Sequence, residues 1–158
     1  MDSVKAVLLL VLLCSAGSAQ TFWSGTRPGM GKKQVKALFG RDLKVEQTKS
    51  EPGYEGYTAY TMKREFCGGV FEVGFVFQAK ADKLISVTLV TGSNNSGGRI
   101  GDCVVRRYIA DFGEPVEVQD CELGVTRTFV RGQTSVEVIT GQETDLVEVR
   151  YALRAGGL

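Results

Sequence analysis

The sequence predicts an α+β fold: tandem helix-plus-four-strand repeats forming a mainly antiparallel sheet, with the helices packed on one face. Three observations predict it. Two amphipathic stretches end in Phe-Gly, at Phe39-Gly40 and Phe112-Gly113, 73 positions apart. Each is followed by a series of short, β-branched segments of alternating polarity. Between the two series lies Gly92-Ser93-Asn94-Asn95-Ser96-Gly97-Gly98, which is too polar and too rich in glycine to build a core and reads as a linker.

The chain opens with one cation, Lys5, then an apolar run from Ala6 to Leu13 and the small residues Cys14 to Ala19. That order is the n-region, h-region and cleavage site of a secretory signal, so residues 1–19 are expected to be removed and the mature chain to start at Gln20. The run is far short of the roughly 20 residues that span a bilayer as a helix, and no membrane span is expected downstream. Leu13, directly before Cys14, argues against a lipoprotein signal, which needs small residues there. The expected organisation is therefore a signal peptide over 1–19, a first repeat over 20–92, a linker over 93–98 and a second repeat over 99–158.

In the first repeat Val35, Leu38 and Phe39 recur at i, i+3 and i+4, one face of a helix that Gly40 ends. Four strands are expected after it, over Leu43–Thr48, Tyr57–Phe66, Val70–Ala79 and Leu84–Thr91. The third alternates most cleanly, with Phe71, Val73, Phe75 and Phe77 on one side. In the second repeat Val105, Tyr108, Ile109 and Phe112 form the stripe, Gly113 ends the helix and Pro115 bars its continuation. Strands follow over Val116–Cys121, Val125–Arg131, Ser135–Thr140 and Leu146–Ala152.

Cleavage leaves three cysteines, Cys67, Cys103 and Cys121, and export permits disulfides. Three thiols allow three single pairings. The pairing expected is Cys103 with Cys121, because the chain must turn back between a helix start and the end of the next strand. That bond closes a loop of modest length and is worth about 3 kcal/mol. Met30 and Thr48 occupy the matching positions of the first repeat, which lacks such a staple.

The stretch from Gly29 to Gly40, with its second version from Val104 to Pro115, resembles the helix-and-Phe-Gly opening of BamE-like and beta-lactamase-inhibitor-protein-like domains. The resemblance covers the mature chain and implies a protein-binding role in the envelope or outside it. No contact residue carries over by motif. The chain departs from those families in its imperfect lipobox and in lacking a cysteine pair in the first repeat.

The formal net charge is +1, which provides no basic field for nucleic acid. Residues 20–95 carry eleven Lys and Arg against seven Asp and Glu, and residues 96–158 carry seven against ten. Two mildly opposite halves of this kind read as solvated faces. The sequence has no histidine, which removes Ser-His-Asp and Cys-His catalysis and any imidazole ligand for zinc. Cys67, beside Gly68 and Gly69, reads as a structural thiol, since no base accompanies it. Gly25 to Lys33 resembles a phosphate loop only at a glance: the glycine spacing fails, and Lys33 stands where Ser or Thr would hold magnesium. Asn94-Asn95-Ser96 matches a glycosylation acceptor pattern. No cofactor and no metal are expected.

The aromatics Trp23, Tyr54, Tyr57 and Tyr60 are of the types enriched at interface hot spots and are the candidate binding residues. Tyr57 and Tyr60, three apart on a strand, are expected on opposite sides. These readings converge on an exported, non-catalytic protein-binding module, secreted or periplasmic, whose partner is another extracytoplasmic protein. Two other readings compete. One is a small hydrolase using the carboxylates of Glu72 and Glu137. The other is a carrier with a small ligand under its sheet.

Overall fold

The computed structural model describes residues 21–46, 55–91, 97–122, 124–141 and 146–154. The expected signal peptide and Tyr54 lie outside the described residues, as does most of the expected linker; Gly97 and Gly98 are already helical. Among the described residues no helix is long and apolar enough to cross a membrane.

Helix α1 spans Lys32–Phe39 and α2 spans Gly97–Phe112. The strands are β1 Lys44–Val45, β2 Gly56–Phe66, β3 Gly69–Gln78, β4 Leu84–Thr91, β5 Glu117–Cys121, β6 Gly124–Arg131, β7 Thr134–Thr140 and β8 Val147–Leu153. Short 3-10 turns lie at Trp23–Gly25 and Gly40–Asp42.

The fold class corrects the sequence-based expectation. The chain does not form tandem helix-plus-four-strand repeats; it forms one eight-stranded antiparallel sheet, in the order β1-β2-β3-β4-β8-β7-β6-β5, to which two short helices are secondary. The seam is the β4–β8 pair, where Val87 faces Tyr151 and Leu89 faces Val149. Backbone hydrogen bonding is therefore continuous across what was expected to be a boundary. The physical reason lies in burial. The two-turn α1 fully buries Val35 alone, too little to close a core of its own, and the buried side chains instead form one cluster running from Phe22 through Phe75 and Leu89 to Tyr151.

Seven strands begin and end within a residue of their expected bounds, because their period-2 pattern is local. Phe71, Val73, Phe75 and Phe77 all point under the helices and are fully buried. The helical stripes are less well anticipated. Successive helix residues turn by about 100°, so Val35 and Phe39 share a face while Leu38 swings aside; it is 49% exposed. In α2 the buried line is Ile100, Val104 and Tyr108, with Val105, Ile109 and Phe112 packed at its flanks. The hydroxyls of Tyr108 and Tyr151 are hydrogen-bonded to each other beneath α2, and burial raises the pKa of both phenols above the ordinary tyrosine value.

The disulfide is also corrected. Cys67 pairs with Cys103, at a Cα–Cα separation of 5.7 Å, and Cys121 is free and exposed. Strand parity explains this. Cys121 stands opposite Gly124, with its Sγ 3.7 Å from Thr126 Oγ1, on the face away from the helices, where Cys103 of α2 cannot reach it. The first turns of α2 lie over the β2–β3 hairpin instead, so close that a Cβ on Gly69 would sit 2.8 Å from Ile100 Cδ1.

Candidate functional site: the helix-free face of the sheet

Both helices, the 3-10 turn at Trp23 and the apolar cluster occupy one side of the sheet. On the other side, side chains from all eight strands align. Following the register, Glu117 of β5 lies beside Thr128 of β6, then Glu137 of β7, Arg150 of β8, Thr88 of β4, Gly74 of β3, Thr61 of β2 and Lys44 of β1. A parallel row runs from Gln119 through Thr126, Ile139, Glu148, Val90 and Glu72 to Lys63. Apart from Ile139, Val90 and Gly74, these positions are the polar partners of each strand's apolar alternation, which is why they face outward together.

Arg150 occupies the middle of the face, 2.8 Å from Glu148 Oε1 and 3.6 Å from Glu137 Oε2. All three side chains are partly solvated, so the pairs orient the guanidinium more than they stabilise the fold. Two shallow depressions flank it. One, of about 150 Å³, lies over Gly74 among Thr58, Thr61, Glu72, Thr88 and Val90. It exists because position 74 carries no side chain: a Cβ there would stand 2.8 Å from Thr88 Oγ1. The other, of about 540 Å³, lies among Thr128, Val130, Ser135, Glu137, Arg150 and Ala152. Hydroxyls, carboxylates and the guanidiniums of Arg150 and Arg154 across a broad, shallow face suit hydrogen bonding to a large partner.

Of the candidate aromatics, the described ones, Trp23, Tyr57 and Tyr60, do not lie on this face. Trp23 is half-buried on the helix side, stacked 5.9 Å from Phe39 and tilted against Phe75 at 6.5 Å. Tyr60 packs edge-on against Phe77 at 6.0 Å. Tyr57 and Tyr60 were expected to oppose each other, but a β-bulge between Thr58 and Tyr60 sets them opposite Phe77 and Phe75, on the same side. Trp23 and Tyr60 thus serve packing, and what Tyr57 does is local.

The Tyr57 hydroxyl donates to Asp82 Oδ1, and Lys32 lies 3.1 Å from the same oxygen and 4.9 Å from the centre of the Tyr57 ring. This clasp ties the start of α1 to the β3–β4 turn. The Tyr57 hydrogen bond, then Lys32, hold the Asp82 carboxyl below the ordinary aspartate value. A lowered folded-state value means that the clasp contributes stability above the ordinary aspartate range and loses it as pH falls through the lowered value. In a carboxyl-detected NMR titration, Asp82 is expected to have a midpoint below that of a free aspartate, and Tyr57→Phe is expected to raise it. An unchanged midpoint in the variant would remove Tyr57 as the cause.

Glu72 and Glu137 share the helix-free face but stand three strand spacings apart, roughly 14 Å. That backbone spacing is wider than the roughly 5 to 9.5 Å at which two carboxylates flank a glycosidic bond. The residues that make the face, Arg150, Thr88, Thr61 and Thr128, were not singled out from sequence. Their signal was present as the polar half of each alternating strand.

No family model and no curated protein matches the sequence. Among solved structures the chain is similar to a crystal structure of a DUF4309 family protein, YjgB, from Bacillus subtilis subsp. subtilis str. 168. The two are 12% identical, the match covers 78% of each chain, and the TM-score is 0.45.

Proposed function

We propose that this chain is a non-catalytic protein-binding module of the cell exterior or periplasm, and that it engages an extracytoplasmic protein through the helix-free face of its sheet. One observation carries the reading: the helices and the apolar cluster all lie on one side, which leaves a largely polar face, eight strands wide, that none of the described elements covers. Its central Arg150, held between two carboxylates, provides a directional donor, and the rows of threonines present hydroxyls at strand spacing. Arginine is over-represented among the few residues that dominate interface energetics. The Cys67–Cys103 bond accords with an oxidising compartment, as does the signal-like opening of the sequence.

The test uses a photo-reactive residue placed singly at Thr88, at Thr128 and, on the helix side, at Lys36, in chains exposed to extracytoplasmic proteins of the source cell. The same adduct is expected from Thr88 and Thr128 and none from Lys36. Arg150→Glu is expected to weaken that adduct roughly tenfold or more in a chain that still unfolds cooperatively, with a melting temperature lowered by the new like-charge contact with Glu137. Adducts from Lys36 alone, or an Arg150→Glu chain that captures as before, would remove the face from consideration.

A further inference from the structure

The two edges of the sheet are not alike. One edge, β1, has two residues, a length too short to template another strand. The other, β5, has five, all exposed, and its side away from β6 pairs with no strand among the described residues. Exposed edges are commonly blunted by lysine, by proline within the strand or by a bulge. Glu117 to Cys121 contains no lysine or proline, and its pairing with β6 runs without a register shift. Val116 and Val118 are 67% and 55% exposed along it.

Charge determines what such an edge can accept. From Gly113 to Gly124 there is no lysine or arginine, and there are four carboxylates, Glu114, Glu117, Asp120 and Glu122. Parity places Glu117 on the helix-free face and Asp120 on the helix side, so both flanks of the edge are negative. Two copies meeting edge to edge in antiparallel fashion would bring these acids against one another, and like charges across a strand pair are destabilising. A strand bearing cations at alternate positions sets them all on one flank, where Glu117 favours them, and still gains the main-chain hydrogen bonds.

We propose that β5 is a strand-addition site, which takes an extended lysine- or arginine-bearing segment of a partner protein as a ninth strand. The segment's backbone pairs with the open side of β5, its alternating cations lie on the flank of Glu117, and its apolar side chains lie on the opposite flank, over Val118. This surface is an edge that shares Glu117 with the helix-free face but lies three strands from Arg150: substitutions at Arg150 leave it intact.

The test is amide hydrogen exchange followed by NMR on the natural chain, titrated with the peptide Thr-Lys-Val-Lys-Val-Lys-Thr blocked at both ends. Three comparisons accompany it: the same peptide with glutamate for lysine, the same peptide with proline for its valines, and the chain carrying Glu117→Lys with Asp120→Lys. With the basic peptide, exchange of the β5 amides is expected to slow roughly tenfold or more, and the effect to weaken as salt is raised. The glutamate and proline peptides are expected to leave exchange unchanged, and the charge-reversed chain to lose the effect while melting as before. Four results would overturn the proposal. The β5 amides could fail to respond. The proline peptide could protect as well as the original, which reports charge without strand pairing. The charge-reversed chain could respond like the natural one. Protection could rise with protein concentration alone, which makes the occupant a second copy.

Discussion

Replacing Cys67 and Cys103 together with serine lowers the free energy of unfolding by about 4 kcal/mol, the chain-entropy value for cysteines 36 residues apart. Against a typical net stability of roughly 5 to 15 kcal/mol, that is enough to leave a sizeable unfolded population on mild heating. Cys121→Ser moves stability by less than roughly 0.5 kcal/mol, since its thiol is exposed and has only a weak contact with Thr126. Urea unfolding of the three chains, each with and without reductant, decides the matter. Reductant should bring the natural chain and the Cys121→Ser chain down to the level of the double variant and leave the double variant unmoved. Equal midpoints for all three chains before reduction would refute the bond, as would peptide mapping that finds Cys121 in it.

Phe75→Ala costs about 3 to 5 kcal/mol, the range for truncating a large buried aromatic. Phe75 is wholly buried in the middle of β3, with its ring 5.1 Å from that of Phe39 and 6.5 Å from that of Trp23. Its loss opens a cavity where the end of α1, the N-terminal 3-10 turn and the sheet meet. The chain has one tryptophan, so its fluorescence reports on this place alone. A red-shifted Trp23 emission in the folded variant, with the lowered urea midpoint, is the expected pair of results. An unshifted spectrum and a loss under roughly 1 kcal/mol would show that the site collapses around the smaller side chain.

What the sequence made legible follows from how far each signal reaches along the chain. Alternation is a property of neighbours, so Phe71, Val73, Phe75 and Phe77 disclosed both a strand and its buried side. The helix ends at Phe39 and Phe112 were equally local, marked by Gly40 and Gly113. Partners distant in sequence were not legible. Whether Cys103 meets Cys67 or Cys121 depends on which face α2 covers, and no short stretch encodes that. The seam between β4 and β8 joins residues 58 to 66 positions apart, and without it two repeated units looked reasonable.

The facing of the candidate tyrosines was misread for a related reason. Tyr57 and Tyr60 were assigned to opposite sides by counting, and the bulge beside Ala59 adds one residue to the count without a glycine or proline to announce it. Large aromatics attracted notice as interface candidates, yet Trp23 and Tyr60 are used in packing. The threonines and the arginine of the open face are individually ordinary. They become a candidate site only when the register lines them up across eight strands.

The position of the Cys67–Cys103 bond has one more consequence. Its loop encloses β3, β4 and the whole stretch from Gly92 to Ser96. A protease that cuts within that stretch severs the main chain but releases nothing, because the sulfurs still join the piece carrying β1 to β4 to the piece carrying β5 to β8. In surroundings rich in hydrolytic enzymes, the nicked molecule remains a single covalent object.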